Sequence, residues 1–455
     1  MSPRLARALA VAGAVLVPVS PSVAAPPPGA ISANVEYVTN LPELKTAISL
    51  NFIGDTMFVS TQTGLFSYDV KDPRAPKLLG ALPQEIWENE DVDVDPKRKL
   101  VFISRDPRPA PGLVAPLLPK GSITVVDVAD PRAMVVKNVF PIDASHTTTC
   151  VNGCQWLWSG GPAAFALPVP PHEAGWKGRP IFGTDLRDPL LPKPCPRPID
   201  LKRNDGVTDY AHDVQVDSRG IAWVSGFGGT RGYWTTGRHK NPLNGKVETA
   251  DGCNPIPYGG GGTTIGRDGA LMHNALRNPR YAVDGRRGDV LIGTEERLSS
   301  SCEQSGKAAT FDLRGTYTGA GWKVTKHRMK TLDTWTPEGA EGADGCASAH
   351  YVADRGDGVL AWAFYGQGTR FLDVSNPRRI RQVGYFRPDD ASTWAAYFHK
   401  GYVFVADNAR GVDVVRFKGS AKSPTLAAPA RRTPSPLALR FAPSNALGWL
   451  CPAPR

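Results

Sequence analysis

The chain has 455 residues, of which 41% are hydrophobic and 21% charged, and it carries a formal net charge of +10. This composition supplies enough apolar material for a core and argues against global disorder. The basic residues are scattered and are not grouped with aromatic residues, so we predict no nucleic-acid partner. The 47 glycines and 42 prolines favour frequent turns over long helices.

The N-terminal stretch is typical of a secretory signal. Arg4 and Arg7 precede an apolar run from Ala8 to Val19, and the segment 22–24, Ser-Val-Ala, fits the small-residue cleavage rule. The run is shorter than the ~18 residues that a membrane span needs, and no later segment approaches that length. We therefore predict a signal peptide over 1–24, a proline-rich leader over 25–33, and a secreted or cell-surface protein with no transmembrane segment in the mature chain.

After the leader, one pattern recurs along the chain: an alternating apolar run that ends in Asp, a turn rich in Pro, and a second apolar run. The clearest copies are GLFSYDVKDPRAPKLLGALP (64–83), GSITVVDVADPRAMVVKNVFP (121–141) and GTRFLDVSNPRRIRQVGYFRP (368–388). Each copy follows a hairpin pattern such as HDVQVDSRGIAWVSG (212–226). Period-two alternation with Gly, Asn and Asp at the turns indicates strands. Seven units of four strands predict an all-β, seven-bladed β-propeller over 34–417.

The last unit is incomplete at its C-terminal end. It stops at GVDVVRF (411–417), its third strand, whereas NVEYVTNLP (34–42) resembles the outer strands of other units. An unpaired sheet edge invites aggregation. We therefore predict that the N-terminal strand completes the seventh blade and closes the ring.

Several of these segments resemble a known repeat family. GLFSYDVKDPRAP, SITVVDVADPR, TRFLDVSNPRRIRQVGYF and GYVFVADNARGVDVVRF are similar to the LVIVD repeats of exported bacterial propellers. The resemblance covers most of 34–417, is strongest at the two ends, and is lost in unit four, which has RGYWTTGRHK in place of the Asp-Pro pattern. It implies a propeller fold and export, and no particular reaction, because one fold hosts many functions.

Four histidines occupy the same position in consecutive units. Each precedes or opens the innermost strand of its unit, and in unit two a glutamate takes this place; the five residues are Glu90, His146, His212, His273 and His350. Because innermost strands line the central channel of a propeller, the five side chains should converge at its upper mouth. A nitrogen-rich set of this kind suits zinc or copper, and histidine also serves in acid–base chemistry near neutral pH. The alternative is structural, with the histidines bonded to channel water and backbone.

Most of the long predicted loops lie on the same face as these histidines. Long loops on a rigid scaffold commonly carry binding residues. At the loops between second and third strands we expect further ligand-binding groups at Arg105, Glu295, Glu296 and Tyr365. Solvated loop charges are the alternative for the two glutamates.

Seven cysteines in an exported chain suggest disulfides. We predict a disulfide between Cys150 and Cys154, which flank a hairpin turn. We predict a second one between Cys302 and Cys346, which lie on loops of neighbouring units. Cys195 and Cys253 form a third predicted pair, which leaves Cys451 over. It lies in the Pro- and Ala-rich tail 418–455, for which we predict disorder.

Two functions from different classes fit this sequence. In the first, an exported propeller binds an unknown small molecule or an extracellular protein at its histidine-lined mouth, with no cofactor required. In the second, a divalent metal ion, zinc or copper, is held by His146, His212, His273, His350 and Glu90 and supports hydrolytic, lytic or oxidative chemistry.

Overall fold

A computed structural model of the chain describes residues 26–84, 90–106, 121–161, 178–199, 209–226, 229–242, 244–258, 271–296, 306–314, 329–337 and 348–429. Within these ranges seven sheets of four or five strands, antiparallel apart from one short pairing in blade 4, form a seven-bladed β-propeller, which confirms the predicted fold class. Helical structure in the same ranges is limited to the 3-10 turn Pro42–Leu44. No helix in the described part of the chain is both long and apolar enough to cross a membrane.

In blades 1 to 6 the four main strands follow one another along the chain, from the channel outwards. Blade 1 comprises Ser49–Ile53, Thr56–Thr61, Gly64–Asp69 and Lys77–Pro83. Blade 2 comprises Val92–Asp95, Leu100–Arg105, Gly121–Asp127 and Val135–Ile142. Blade 3 comprises Thr147–Val151, Trp156–Gly160, Phe182–Asp185 and Lys193–Pro194.

Blade 4 comprises Asp209–Val216, Ile221–Gly226, Gly229–Trp234 and Ile256–Pro257, with Gly178–Arg179 parallel to its innermost strand. Blade 5 comprises Leu271–Leu276, Val290–Glu296, Ala308–Asp312 and Lys330–Trp335. Two small hairpins project from these blades: Arg238–Lys240 with Val247–Thr249, and Ala282–Val283 with Arg286–Arg287.

The last two blades also contain the N-terminal segment. Blade 6 comprises Val352–Asp354, Val359–Ala363, Thr369–Asp373 and Arg381–Pro388, and Gly29–Ile31 adds a fifth strand. Blade 7 comprises Thr393–His399, Tyr402–Asp407 and Gly411–Phe417, and its fourth strand is Val35–Leu41. The sheet of blade 7 is therefore assembled from both ends of the described chain.

The recurring aspartate of the sequence pattern has a structural role. In each of five blades the carboxylate at the end of the third strand accepts the backbone N–H two residues later, at 2.9 or 3.0 Å; the residues are Asp69, Asp127, Asp185, Asp312 and Asp373. This local bond turns the chain towards the outer strand. The aspartates of the repeat thus explain the turn.

The cores lie between blades. One cluster joins Leu50 and Met57 of blade 1 to Phe404 of blade 7, and another joins Leu65 of blade 1 to Ile103 of blade 2. Both faces of each central strand are therefore buried, as their almost continuous apolar sequences require.

Two predicted disulfides are present. Cys150–Cys154 spans the turn between the first two strands of blade 3. Cys195–Cys253 joins the outer part of blade 3 to the segment beyond the blade 4 hairpin. Cys302, Cys346 and Cys451 lie outside the described residues.

The tail begins as an ordered extension along blade 6. The Gln382 side-chain amide donates to the Leu426 carbonyl, and the Leu426 backbone N–H donates to the Gln382 carbonyl. The Arg387 guanidinium donates to the Pro429 carbonyl at 2.8 Å. Residues 430–455, which make up most of the tail predicted to be disordered, lie outside the described residues.

Candidate metal centre

The structure brings the four register-equivalent histidines and Glu90 together at one end of the central channel. The Glu90 carboxylate lies in the middle of the group, within 3.2–3.5 Å of the Nε2 atom of every imidazole: His146, His212, His273 and His350. All five side chains have 0% exposure. The histidines also follow one another in space, with ring centroids 5.0, 4.3 and 4.0 Å apart along the series.

Irregularities in the innermost strands position several of these side chains. The pairing of the innermost strand with the second strand shifts between Ala211 and Asp213 in blade 4 and between Met272 and Ala275 in blade 5. His212 and His273 therefore lie at positions where the regular pairing between the two strands is interrupted. A β-bulge re-aims a side chain, which is why such irregularities are common next to functional sites.

Two of the imidazoles are fixed from behind. The Nδ1 atom of His350 lies 2.7 Å from the backbone oxygen of Trp394, and that of His146 lies 3.0 Å from the Asp106 carboxylate. A carbonyl oxygen can only accept, so Nδ1 of His350 carries the hydrogen. In a neutral His350 the Nε2 lone pair then faces Glu90, an arrangement that is stable only if a proton or a metal cation lies between them. Bonding of the second ring nitrogen in this way is the usual support of a metal-ligating histidine.

The charge balance of the cluster depends on Glu90. Burial alone raises the pKa of Glu90, but the imidazoles of His273, His146 and His212 outweigh it and hold the pKa well below its usual value. Burial also lowers the pKa of His212 and His273, which favours their neutral forms. Burial opposes protonation of His350 too, but its contact with Glu90 prevails and raises its pKa. Glu90 is therefore the ionised carboxylate at the centre of the cluster, and His350 is the imidazole whose protonated form it favours.

Of the four loop residues predicted for the site, two reach it. The Glu296 carboxylate lies 4.0 Å from Nε2 of His273, and it accepts a 2.5 Å hydrogen bond from the Tyr365 hydroxyl. Glu295 alternates to the other side of the strand and is half-buried. The backbone oxygen of Arg105 accepts a hydrogen bond from the Ser145 hydroxyl at 2.6 Å.

Sequence reasoning missed Asp106 and Tyr351. Asp106 directly follows the second strand of blade 2, and Tyr351 places its hydroxyl 3.4 Å from Glu90 and its ring 4.9 Å from that of His273. No repeat signal marks either residue. Trp394 lies at an irregularity of the innermost strand of blade 7 and packs against His350 with ring centroids 5.2 Å apart.

Three further carboxylates lie along the innermost strands beside the cluster. Asp91 and Asp93 accept backbone N–H groups of Thr148 and Cys150. Asp213 accepts the backbone N–H of Val214 at 2.6 Å and the side-chain amide of Gln215 at 3.3 Å. Burial raises the pKa of Asp93 to about 6 and, with the added charge of Glu90, that of Asp213 to about 8. The pKa of Asp91 is raised as well, by burial and by the charges of Asp213, Asp93 and Glu90.

Asp93→Asn should therefore stabilise the metal-free protein at alkaline pH. The pKa of Asp93 is about 6 in the fold against 3.8 as its ordinary value, so the folded state holds the proton more tightly. Its contribution to the unfolding free energy falls as the pH rises from about 4 to 6 and stays low above that. We expect a gain of about 1–3 kcal/mol at pH 8 and none at pH 4.

Urea unfolding at the two pH values measures this difference. The asparagine retains an acceptor for the Cys150 N–H, so the backbone bond is kept. Asp72→Asn is the matched control, because this exposed turn residue undergoes the same loss of charge. An equal gain at both pH values would contradict the titration of Asp93.

The donor atoms of the cluster fall into three overlapping groups. These are Glu90 with His146 and His212, Glu90 with His273 and His350, and His212 with His273 and Glu296. Within each group every donor lies within 4.8 Å of the others. In a tetrahedral zinc site with bonds of about 2.0–2.1 Å, neighbouring donors are about 3.4 Å apart. The contacts of 3.2–3.5 Å around Glu90 match that spacing.

Fold and site together define a seven-bladed β-propeller with a buried histidine–glutamate cluster that can hold metal ions. No protein-family model matches the chain, and no curated protein is significantly similar to it, so the likeness to LVIVD repeats remains a resemblance.

Solved structures similar to this chain include the extracellular domain of BT4673 from B. thetaiotaomicron, at 12% identity over 84% of this chain with a TM-score of 0.47. This chain spans 39% of the length of that one. Kuenenia stuttgartiensis hydrazine synthase is also similar, at 12% identity over 82% of this chain and 96% of its own, with a TM-score of 0.49. At such identities the likeness concerns the fold alone.

Proposed function

We propose that the protein is an extracytoplasmic β-propeller whose channel cluster binds a divalent transition-metal ion, zinc or copper, for chemistry on a small molecule. The observation that carries this proposal is the arrangement around Glu90: four imidazole Nε2 atoms face one buried carboxylate at ligand-shell distances. An open binding mouth without metal would present imidazoles to solvent, whereas all four are fully buried. This burial favours the metal alternative over the metal-free ligand site.

The neighbouring residues suit a metal-dependent reaction. A bound ion acts as a Lewis acid or, for copper, as a redox centre. The Glu296 carboxylate, held by the Tyr365 hydroxyl, is placed to accept or return a proton beside the ion.

Export is part of the same proposal. The two disulfides are consistent with an oxidising compartment. The signal peptide over 1–24 supplies the route, and the proposal assigns the mature chain to the outside of the cytoplasmic membrane, where its substrate or partner would be encountered.

Metal analysis of protein purified without a histidine tag tests the proposal. After chelator treatment and reconstitution with zinc or copper, the wild type should retain the ion through gel filtration. His212→Ala should retain less metal per chain than the wild type, whereas His239→Ala should retain the same amount, because His239 packs on Trp234 in the blade 4 hairpin. A wild-type protein that retains neither ion would rule out the metal centre.

A further inference from the structure

The cluster offers more ligands than one ion can reach. A single ion with bonds of about 2.1 Å reaches donors no more than about 4.2 Å apart. Among the described residues the donors that lie within 4.8 Å of one another form groups of three, and no group contains all four histidines. An ion bonded to His146 and His212 therefore cannot also bond to both His273 and His350.

Glu90 belongs to both histidine pairs. Its Oε1 atom lies 3.4 Å from His146 and 3.2 Å from His350, whereas its Oε2 atom lies 3.5 Å from His212 and 3.2 Å from His273. Each oxygen therefore faces one histidine of each pair. A carboxylate has lone pairs enough on its two oxygens to serve both pairs at once.

The two halves have the same construction. Each pairs Glu90 with one histidine fixed from behind through Nδ1: His146 by Asp106 in the first half, and His350 by the Trp394 carbonyl in the second. The third donor is His212 or His273, and Glu296 lies beside these two as an additional carboxylate. A ligand set of four imidazoles and two carboxylates is large for one tetrahedral ion, which takes four ligands.

The local charge also suits more than one cation. Burying cations is costly unless opposite charges accompany them. Glu90, Glu296 and Asp106 supply carboxylates in or directly behind the cluster, with exposures of 0, 2 and 0%. The negative charge thus exceeds what one divalent ion neutralises.

Resting on the proposed function, we infer that the cluster holds two metal ions bridged by the Glu90 carboxylate, one with His146 and His212 and the other with His273 and His350. Glu296 is shared or assigned to the second ion through its place beside His273. Paired ions in proteins are typically about 3.5–4 Å apart.

Stoichiometry decides the inference. Zinc is titrated into the chelator-treated wild type and measured per chain after gel filtration. The expected value is two for the wild type, and one for each of the double variants His146→Ala/His212→Ala and His273→Ala/His350→Ala. Circular dichroism confirms folding, and the conservative variants His146→Gln and His350→Gln replace any double variant that does not fold.

The outcomes separate the two proposals. One zinc per chain in the wild type, with complete loss in both double variants, would overturn the paired site and leave the metal centre intact. No zinc in the wild type would overturn both. Copper(II) at two equivalents gives an independent readout, because ions this close should couple and reduce the paramagnetic resonance signal below that of two isolated ions.

Discussion

Glu90→Gln is expected to weaken zinc or copper binding by at least about 1,000-fold, equivalent to about 4 kcal/mol. Glutamine preserves the shape of the side chain but removes the charge and one of the two carboxylate oxygens. Each oxygen faces one histidine of each pair, so the loss of one oxygen removes a contact in both halves of the cluster, and the negative charge is lost to both. A chelator-competition titration of the reconstituted protein measures the dissociation constants.

Two variants calibrate this result. Asp106→Asn removes the charge behind His146 without removing a ligand, so a loss of about 10–100-fold is expected. Glu248→Gln makes the same substitution in the blade 4 hairpin, where the carboxylate bonds only to asparagine side chains among its described hydrogen bonds, and should leave affinity unchanged. Equal affinities of the Glu90 variant and the wild type would show that the metal does not bind at Glu90.

Gly411→Ala is expected to detach the N-terminal strand from blade 7 and to destabilise the protein by about 5 kcal/mol or more. A Cβ atom at Gly411 would lie 2.2 Å from the backbone oxygen of Leu41, so Val35–Leu41 cannot keep its register. Val35, Val38 and Leu41 are each less than 9% exposed, and each buried side chain of this type contributes about 1.5–3 kcal/mol. Such a loss approaches the whole stability of a typical domain.

The control for this variant lies in the same blade. Gly401 also has a positive φ, +77° against +92° at Gly411, but nothing lies within 4 Å of an added Cβ. Gly401→Ala should therefore cost only the backbone strain, about 1–2 kcal/mol. Urea unfolding and gel filtration compare the two. If both variants lose the same stability, the N-terminal strand does not close the ring, and the closure predicted from the sequence is wrong.

Glycines equivalent to Gly411 lie equally close to the outer strand in two other blades. The Cβ of an alanine at Gly64 would meet the Leu82 oxygen at 2.6 Å, and one at Gly368 would meet the Phe386 oxygen at 2.3 Å. Gly64 opens the third strand of blade 1 and Gly368 directly precedes that of blade 6, and in both blades the neighbour belongs to the fourth strand. Val35–Leu41 thus occupies in blade 7 the place that a blade's own outer strand occupies elsewhere.

The fold was predictable because it is repetitive. Period-two alternation and the Asp–Pro turn occur in several units, so errors in one unit, such as the divergent pattern around 231–240, do not change the count. The register of the four histidines followed from the same repeat, since equivalent positions in a propeller lie at equivalent distances from the axis.

The details of the cluster were not predictable in this way. Which of Glu295 and Glu296 faces His273 depends on strand alternation at a single residue. Asp106 supports His146 across 40 residues of chain, a contact that no local pattern encodes. The bulges at His212 and His273 depend on how the innermost strand pairs with the second strand. They set the positions of these two imidazoles in the row of four histidines.

The sequence by itself determined the all-β architecture, the number of blades, two disulfides and the common register of Glu90 with four histidines. These features depend on short-range periodicity, which the spacing of residues along the chain records directly. Only the tertiary structure decided that the donors divide into pairs around one central carboxylate, and that Asp106, Tyr351 and Trp394 support them. These contacts join residues from six blades. Their distances of 3–5 Å depend on how the blades pack about the axis, and no single segment of the sequence specifies that packing.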